Sequence, residues 1–134
     1  NKWRNDMSDL KPRGIPMVLD GVERRLLFTL NVIDDIQSET GRNMKEIMED
    51  LADEKKMGNT LKYLVTTLVN DEAEREKRKN PECTLKKITE RDAGELIGMD
   101  NIVEITAKVM MAYGYSLPKP EDDDPNQESG QQNN

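Results

Sequence analysis

Histidine is absent from this chain, and cysteine occurs once, as Cys83. Without histidine there is no Ser-His or Cys-His nucleophile arrangement, no usual zinc site and no ordinary proton switch near neutral pH. A lone cysteine excludes an internal disulfide, and nothing points to an oxidising compartment. No apolar run approaches the length needed to span a bilayer. The opening stretch NKWRNDMSDLKPRG lacks the apolar centre of a secretory signal. Glycines are scattered rather than grouped into a phosphate-cradling loop. Hydrophobic residues are also scarce, at 34% against 35% charged. That balance suits short helices with one buried stripe and a wet opposite face, and opposes a thick multilayer core. A soluble, intracellular protein is the expectation.

What is abundant is charge, with an acidic excess. A net charge of −7 opposes sequence-independent binding to phosphate backbones and attraction to anionic membranes. The sequence therefore predicts neither nucleic-acid nor membrane partners. Carboxylates are plentiful, yet Asp34-Asp35 and Glu49-Asp50 are sequence neighbours and diverge around their helices. Asp122-Asp123-Asp124 is a flexible acidic run and a poor metal cage. Cys83 has no activating neighbour. The expectation is a protein that is not an enzyme and has no cofactor and no metal.

The predicted architecture is mainly α, a small bundle of about five short amphipathic helices with an N-terminal β-hairpin over 15–28. One globular domain over 15–117 is flanked by a flexible arm, 1–14, and a disordered acidic tail, 118–134. Trp3 in the arm is expected to dock on the domain's own surface or stay mobile. Strands over Ile15–Leu19 and Val22–Leu27 flank Asp20-Gly21, which suits a type I′ turn. A helix over Asn31–Thr40 places Leu30, Ile33 and Ile36 on one face, with Val32 adjacent, and ends at Gly41. Asn43 to Glu46 has capping-box spacing, and Met44, Ile47, Met48 and Leu51 form the next stripe.

A break near Met57-Gly58-Asn59 precedes a helix with Leu61, Leu64, Val65, Leu68, Val69 and Ala73 on one side. The run Asp71 to Lys79 reads as a solvated helix end laced with ion pairs. Pro81 ends it. Thr89 starts a short helix carrying Ala93, Leu96 and Ile97. Asp100 is the expected cap of a last helix, with Ile102, Ile105, Thr106, Val109, Met110 and Tyr113 on its buried side and Gly114 and Pro118 at its end.

The candidate partner-binding residues are Met44, Met48, Met110, Met111 and Tyr113. Methionine adapts to varied apolar surfaces. Gap filling in a small core is the plainer role for Met44, Met48 and Met110. Met111 lies off the main stripe and is the better exposed contact.

The order of these elements carries a resemblance. A hairpin leads into a helix ending Glu39-Thr40-Gly41, then come a Met/Ile/Leu-rich helix and a longer one over Leu61 to Val69. After a variable segment comes the stretch from Leu85 to Ile97, LKKITERDAGELI, then a helix from Ile102 to Tyr113 and a polar tail. From Ile15 to Leu117 this resembles the tail assembly chaperones of long-tailed bacteriophages and prophages. It departs from a compact version in the arm 1–14 and the charged insertion 71–82.

The resemblance implies a chaperone that binds the tape-measure protein, keeps it soluble and helps the tail-tube protein polymerise around it. It implies action in the host cell cytoplasm and absence from the mature virion. It also implies a longer, frameshifted form in many phages, and self-association is a further expectation. Two other classes remain open: a virion structural or tail-completion protein, and a helix-turn-helix regulator formed by 89–98 and 100–113. Against the last, Asp100 and Glu104 sit where a recognition helix would meet DNA.

Overall fold

The computed structural model describes residues 13–117. The expectations for residues 1–12, including Trp3, and for the tail 118–134 lie outside the described residues. The fold is mainly helical, with a two-stranded antiparallel hairpin at its start. Its elements are β1 (Ile15–Leu19), β2 (Val22–Leu26), α1 (Leu30–Thr40), α2 (Met44–Asp50), α3 (Met57–Lys79), α4 (Glu90–Leu96) and α5 (Ile102–Ser116).

Asp20 and Gly21 both adopt positive φ, 55° and 74°, as a type I′ turn requires. The turn sets the register Leu19↔Val22, Met17↔Arg24 and Ile15↔Leu26. Met17, Leu19 and Leu26 thereby join the core. The N–H of Arg25 points away from β1 and donates to Glu72 Oε2 at 3.1 Å. Its partner across the ladder is Pro16, which has no N–H to offer at the matching outward position of β1. Proline there blunts the free edge against a further strand.

Helix ends follow local chemistry. Thr29 Oγ1 accepts from the N–H of Val32 at 3.1 Å, so α1 starts one residue earlier than Asn31. Gly41, at φ 69°, closes it. Asn43 and Glu46 form the reciprocal box of α2, at 2.9 and 3.0 Å. Thr89 and Asp92 do the same for α4, at 3.0 and 2.9 Å.

Helix α3 is the central beam and packs against β2 and the other four helices. Leu61, Leu64, Val65, Leu68, Val69 and Ala73 are all buried along its inner face. It contacts β2 where the hairpin lies across its second half. Helix α5 packs on both strands and on α3, and Tyr113 meets the Phe28 ring edge-on at 5.5 Å. The two ends of the described chain meet: Gly14 and Ile15 line one small cavity with Ala112 and Ser116.

Several expectations are corrected. Leu30 is 73% exposed, and the inner face of α1 is Val32 with Ile36. Leu30 is the first residue of α1, and a stripe through Val32 and Ile36 turns it outward. β2 ends at Leu26, not Leu27. Met57-Gly58-Asn59 is the first turn of α3, and the break lies at 51–56.

The charged run is not wholly solvated. Glu72 is buried because the hairpin covers this side of α3, and Arg75 is half-buried. Asp100 does not cap α5. Asn101 occupies that position, and its Oδ1 accepts from the N–H of Gly98 at 2.8 Å instead of from α5. Gly114 lies within the helix, which continues to Ser116. The inner stripe of α5 runs through Ile105, Val109 and Ala112, which leaves Met110 outside it.

Candidate functional site

Helix α5 is apolar on two sides. Ile105, Val109 and Ala112 face the core. Val103, Ala107, Met110, Met111, Gly114 and Leu117 face solvent. Val103 is 77% exposed and Met110 42%. A helix that is apolar all round is ordinarily covered all round, so the outer face is an unfinished surface. Its spacing is regular. Val103, Met110 and Leu117 recur at heptad intervals, and Ala107 and Gly114 fill the alternate seam positions. Large residues thus alternate with small ones, and the small ones let a partner backbone come close. The one charged pair on the flank, Lys108 with Glu104 at 3.3 Å, neutralises itself.

The five candidate partner-binding residues separate. Met44 is buried in the core under α1 and α3, and Met48 packs against that core. Tyr113 is partly buried against Phe28. Met110 and Met111 lie on the outer face of α5. The structure therefore brings together only two of the five. Val103, Ala107 and Leu117 share that outer face and were not among the candidates. The heptad interval through Met110 marks them, whereas a core stripe does not include them.

A second concave region lies between the hairpin tip and the segment 84–88. It is a cavity of about 400 Å³ walled by Leu19, Val22, Leu85, Ile88 and Leu96, with Arg24 and Lys86 beside them. Arg24 is 5% exposed because strand alternation turns it to the inner face. Its Nη2 donates to the carbonyl of Lys86 at 2.7 Å, which ties the segment to the hairpin. Asn70 on α3 holds the same segment from below. Its Oδ1 accepts from Ile88 N–H at 2.7 Å, and its Nδ2 donates to Ile88 O at 2.8 Å. Lys87 pairs with Glu74.

Two acids are displaced in opposite directions. Burial under the hairpin pushes the Glu72 carboxyl up, while the N–H of Arg25 and the charges of Arg24 and Arg75 oppose it. Asp50 accepts from Arg42 Nη1 at 2.6 Å, and that hydrogen bond holds its carboxyl below the usual range. Neither acid sits beside a nucleophile. Burial, with Glu39 accepting from its hydroxyl at 2.5 Å, raises Tyr63. A cleft between α1 and α3 is lined by Asp35, Glu39, Asp71 and Glu74. Three of those carboxylates are engaged, by Tyr63, Arg75 and Lys87 respectively. Among the described residues, no group of three or more His, Cys, Asp or Glu is placed to hold a metal ion. No helix among them is long and apolar enough to cross a membrane. No family model, curated protein or solved structure matches the chain.

Proposed function

We propose that this protein is a tail assembly chaperone of a long-tailed bacteriophage or prophage. It binds the tape-measure protein, keeps it soluble before the tube encloses it, and assists polymerisation of the tail-tube protein. The observation that carries this reading is the outer face of α5, where exposed apolar residues recur at coiled-coil spacing. The order of hairpin and helices that resembles such chaperones adds to it.

A tape-measure chain is long and helical, and its apolar stripes need cover until assembly. A helix laid along this seam suits a client of this kind, with Val103, Met110 and Leu117 as anchors and Ala107 and Gly114 as the close approach. Val103, 77% exposed, has the most to gain from a client's cover, and Met110 and Leu117, already about half covered, gain less. The net negative charge keeps the decorated complex dispersed. Tube subunits then displace the chaperone, which acts in the host cytoplasm and does not enter the virion.

Co-expression with a tape-measure fragment tests this. The fragment should move into the soluble fraction and co-purify, and Met110→Glu should abolish both effects. No gain in solubility together with no co-purification would sink the reading.

A further inference from the structure

Arg24 is a cation only 5% exposed, yet among the described residues no ion pair includes it. Buried charges are ordinarily paired, because taking one out of water is costly. The charge of Glu72 lowers that cost, but Glu72 Oε2 accepts from the N–H of Arg25. Arg24 Nη2 gives one hydrogen to the carbonyl of Lys86, and Nε and Nη1 have no partner. A guanidinium offers a carboxylate two forks, Nε with Nη2 and Nη1 with Nη2. Lys86 engages one hydrogen of Nη2, so the other fork stands complete and unmatched.

Arg24 forms part of the wall of the cavity of about 400 Å³ between the hairpin tip and the segment 84–88. The rest of that wall is mainly apolar, from Leu19, Val22, Leu85, Ile88 and Leu96. The segment beside it is held by side chains. Among the described residues, no backbone–backbone hydrogen bond joins 84–88 to another element. Asn70 and Glu74 on α3 hold its far end at Ile88 and Lys87. The chain is therefore able to lift at Lys86 while α3 keeps its grip.

We propose that this cavity binds a small carboxylic acid with an apolar body, whose carboxylate takes the open fork of Arg24. Lys86 shifts outward to admit it, and a charged acceptor joins or replaces a neutral one. Hydrogen bonds to an ionised acceptor are roughly twice as strong as neutral ones. The apolar body lies against Leu19, Val22 and Leu85. A peptide fits less well, since its amides would be buried against side chains that offer no donor or acceptor. One cation in an apolar chamber matches a molecule with one polar end. At the rim, exposed Asp20 and exposed Lys86 offset each other. The site is built from the hairpin, the segment 84–88 and the end of α4, so it stands apart from α5 and from any client.

Octanoate and octan-1-ol, titrated into the full chain and followed by amide chemical shifts, test this. At neutral pH the acid should bind at least about tenfold more tightly than the alcohol. Shifts should concentrate at Val22 to Arg24 and Thr84 to Ile88. Arg24→Met should erase the preference for the acid. Replacing a buried charge by an apolar residue of similar size is generally tolerated, and helical content checks the fold. Val22→Trp fills the cavity from its exposed rim and should weaken octanoate binding at least about tenfold with Arg24 in place. Met110→Glu on α5 should bind octanoate as the unaltered chain does. Equal affinity for acid and alcohol, or a preference that survives in Arg24→Met, overturns the role of the fork. Binding undiminished in Val22→Trp, or lost in Met110→Glu, overturns the placement in this cavity. No binding of octanoate overturns the site altogether.

Discussion

Helices α3 and α5 both cross the core, and they treat their outer sides differently. Away from the core, the second half of α3 presents Glu74, Lys77 and Lys79, with Arg75 paired to Asp71 at 2.7 Å. Away from Ile105 and Val109, α5 presents Val103, Ala107, Met110 and Gly114. One helix is finished by water and the other is not. The same apolar residue types therefore serve two ends. On α3 they hold the domain together, and on the far side of α5 a large part of their surface stays in water, Val103 above all. A stability measurement and a binding measurement should separate the two helices cleanly.

The largest effect belongs to α3. Leu64→Ala should cost about 3 kcal/mol in denaturant unfolding, because the site is fully enclosed and cannot collapse around the cavity. An effect as small as that of a surface change would erase the contrast. Next comes the pin between α3 and the segment before α4. Asn70→Ala removes both hydrogen bonds to Ile88 and leaves partly buried groups unpaired, at a cost of about 2 kcal/mol. Amide exchange at Ile88 should quicken more than exchange within α4.

A smaller effect appears with pH, and it carries opposite signs at two acids. Asp50 titrates lower in the folded chain than in the unfolded one. Its contribution is present above the ordinary aspartate value of about 3.9 and is lost as pH falls through the folded value. Glu72 titrates higher when folded, so its ionisation costs stability as pH rises from about 4.3. Asp50→Asn should flatten the acid limb of the stability curve, and Glu72→Gln the rise in cost above it. Denaturant midpoints across pH read both. Smallest of all is the outer side of α5. Val103→Ser should shift stability by no more than about 0.5 kcal/mol while weakening whatever the seam binds. A larger loss of stability would mean that this face already serves the monomer.

Much of the fold is legible where short-range chemistry decides it. Asp20-Gly21 can hardly be anything but a turn, Asn43 and Thr89 cap the helices that start beside them, and Leu61 to Ala73 form one stripe. The features that escaped depend on contacts far apart in the chain. Nothing near Glu72 says that a hairpin some distance earlier will cover it. Asn70 looks like any polar helix residue until Ile88 arrives beside it. Choosing between Met110 and Ala112 for the inside of α5 defeated periodicity, because an apolar residue stands at either position and hydropathy no longer marks a side. That ambiguity is itself the signature of the candidate surface. Arg24 was hidden for a different reason. Alternation points it inward, where the carbonyl of Lys86 and the charge of Glu72 meet it.

The meeting of the two ends has a topological consequence. Gly14 and Ser116 line the same small cavity, so the path from first strand to last helix closes almost into a ring. Chain attached at either end departs from one spot, and the domain can sit as a bead on a longer thread without being pulled apart. The same closeness means that the ends could be joined by a short bridge and the ring reopened elsewhere. The exposed segment around Pro81 and Glu82, between α3 and α4, is the natural place for the new ends.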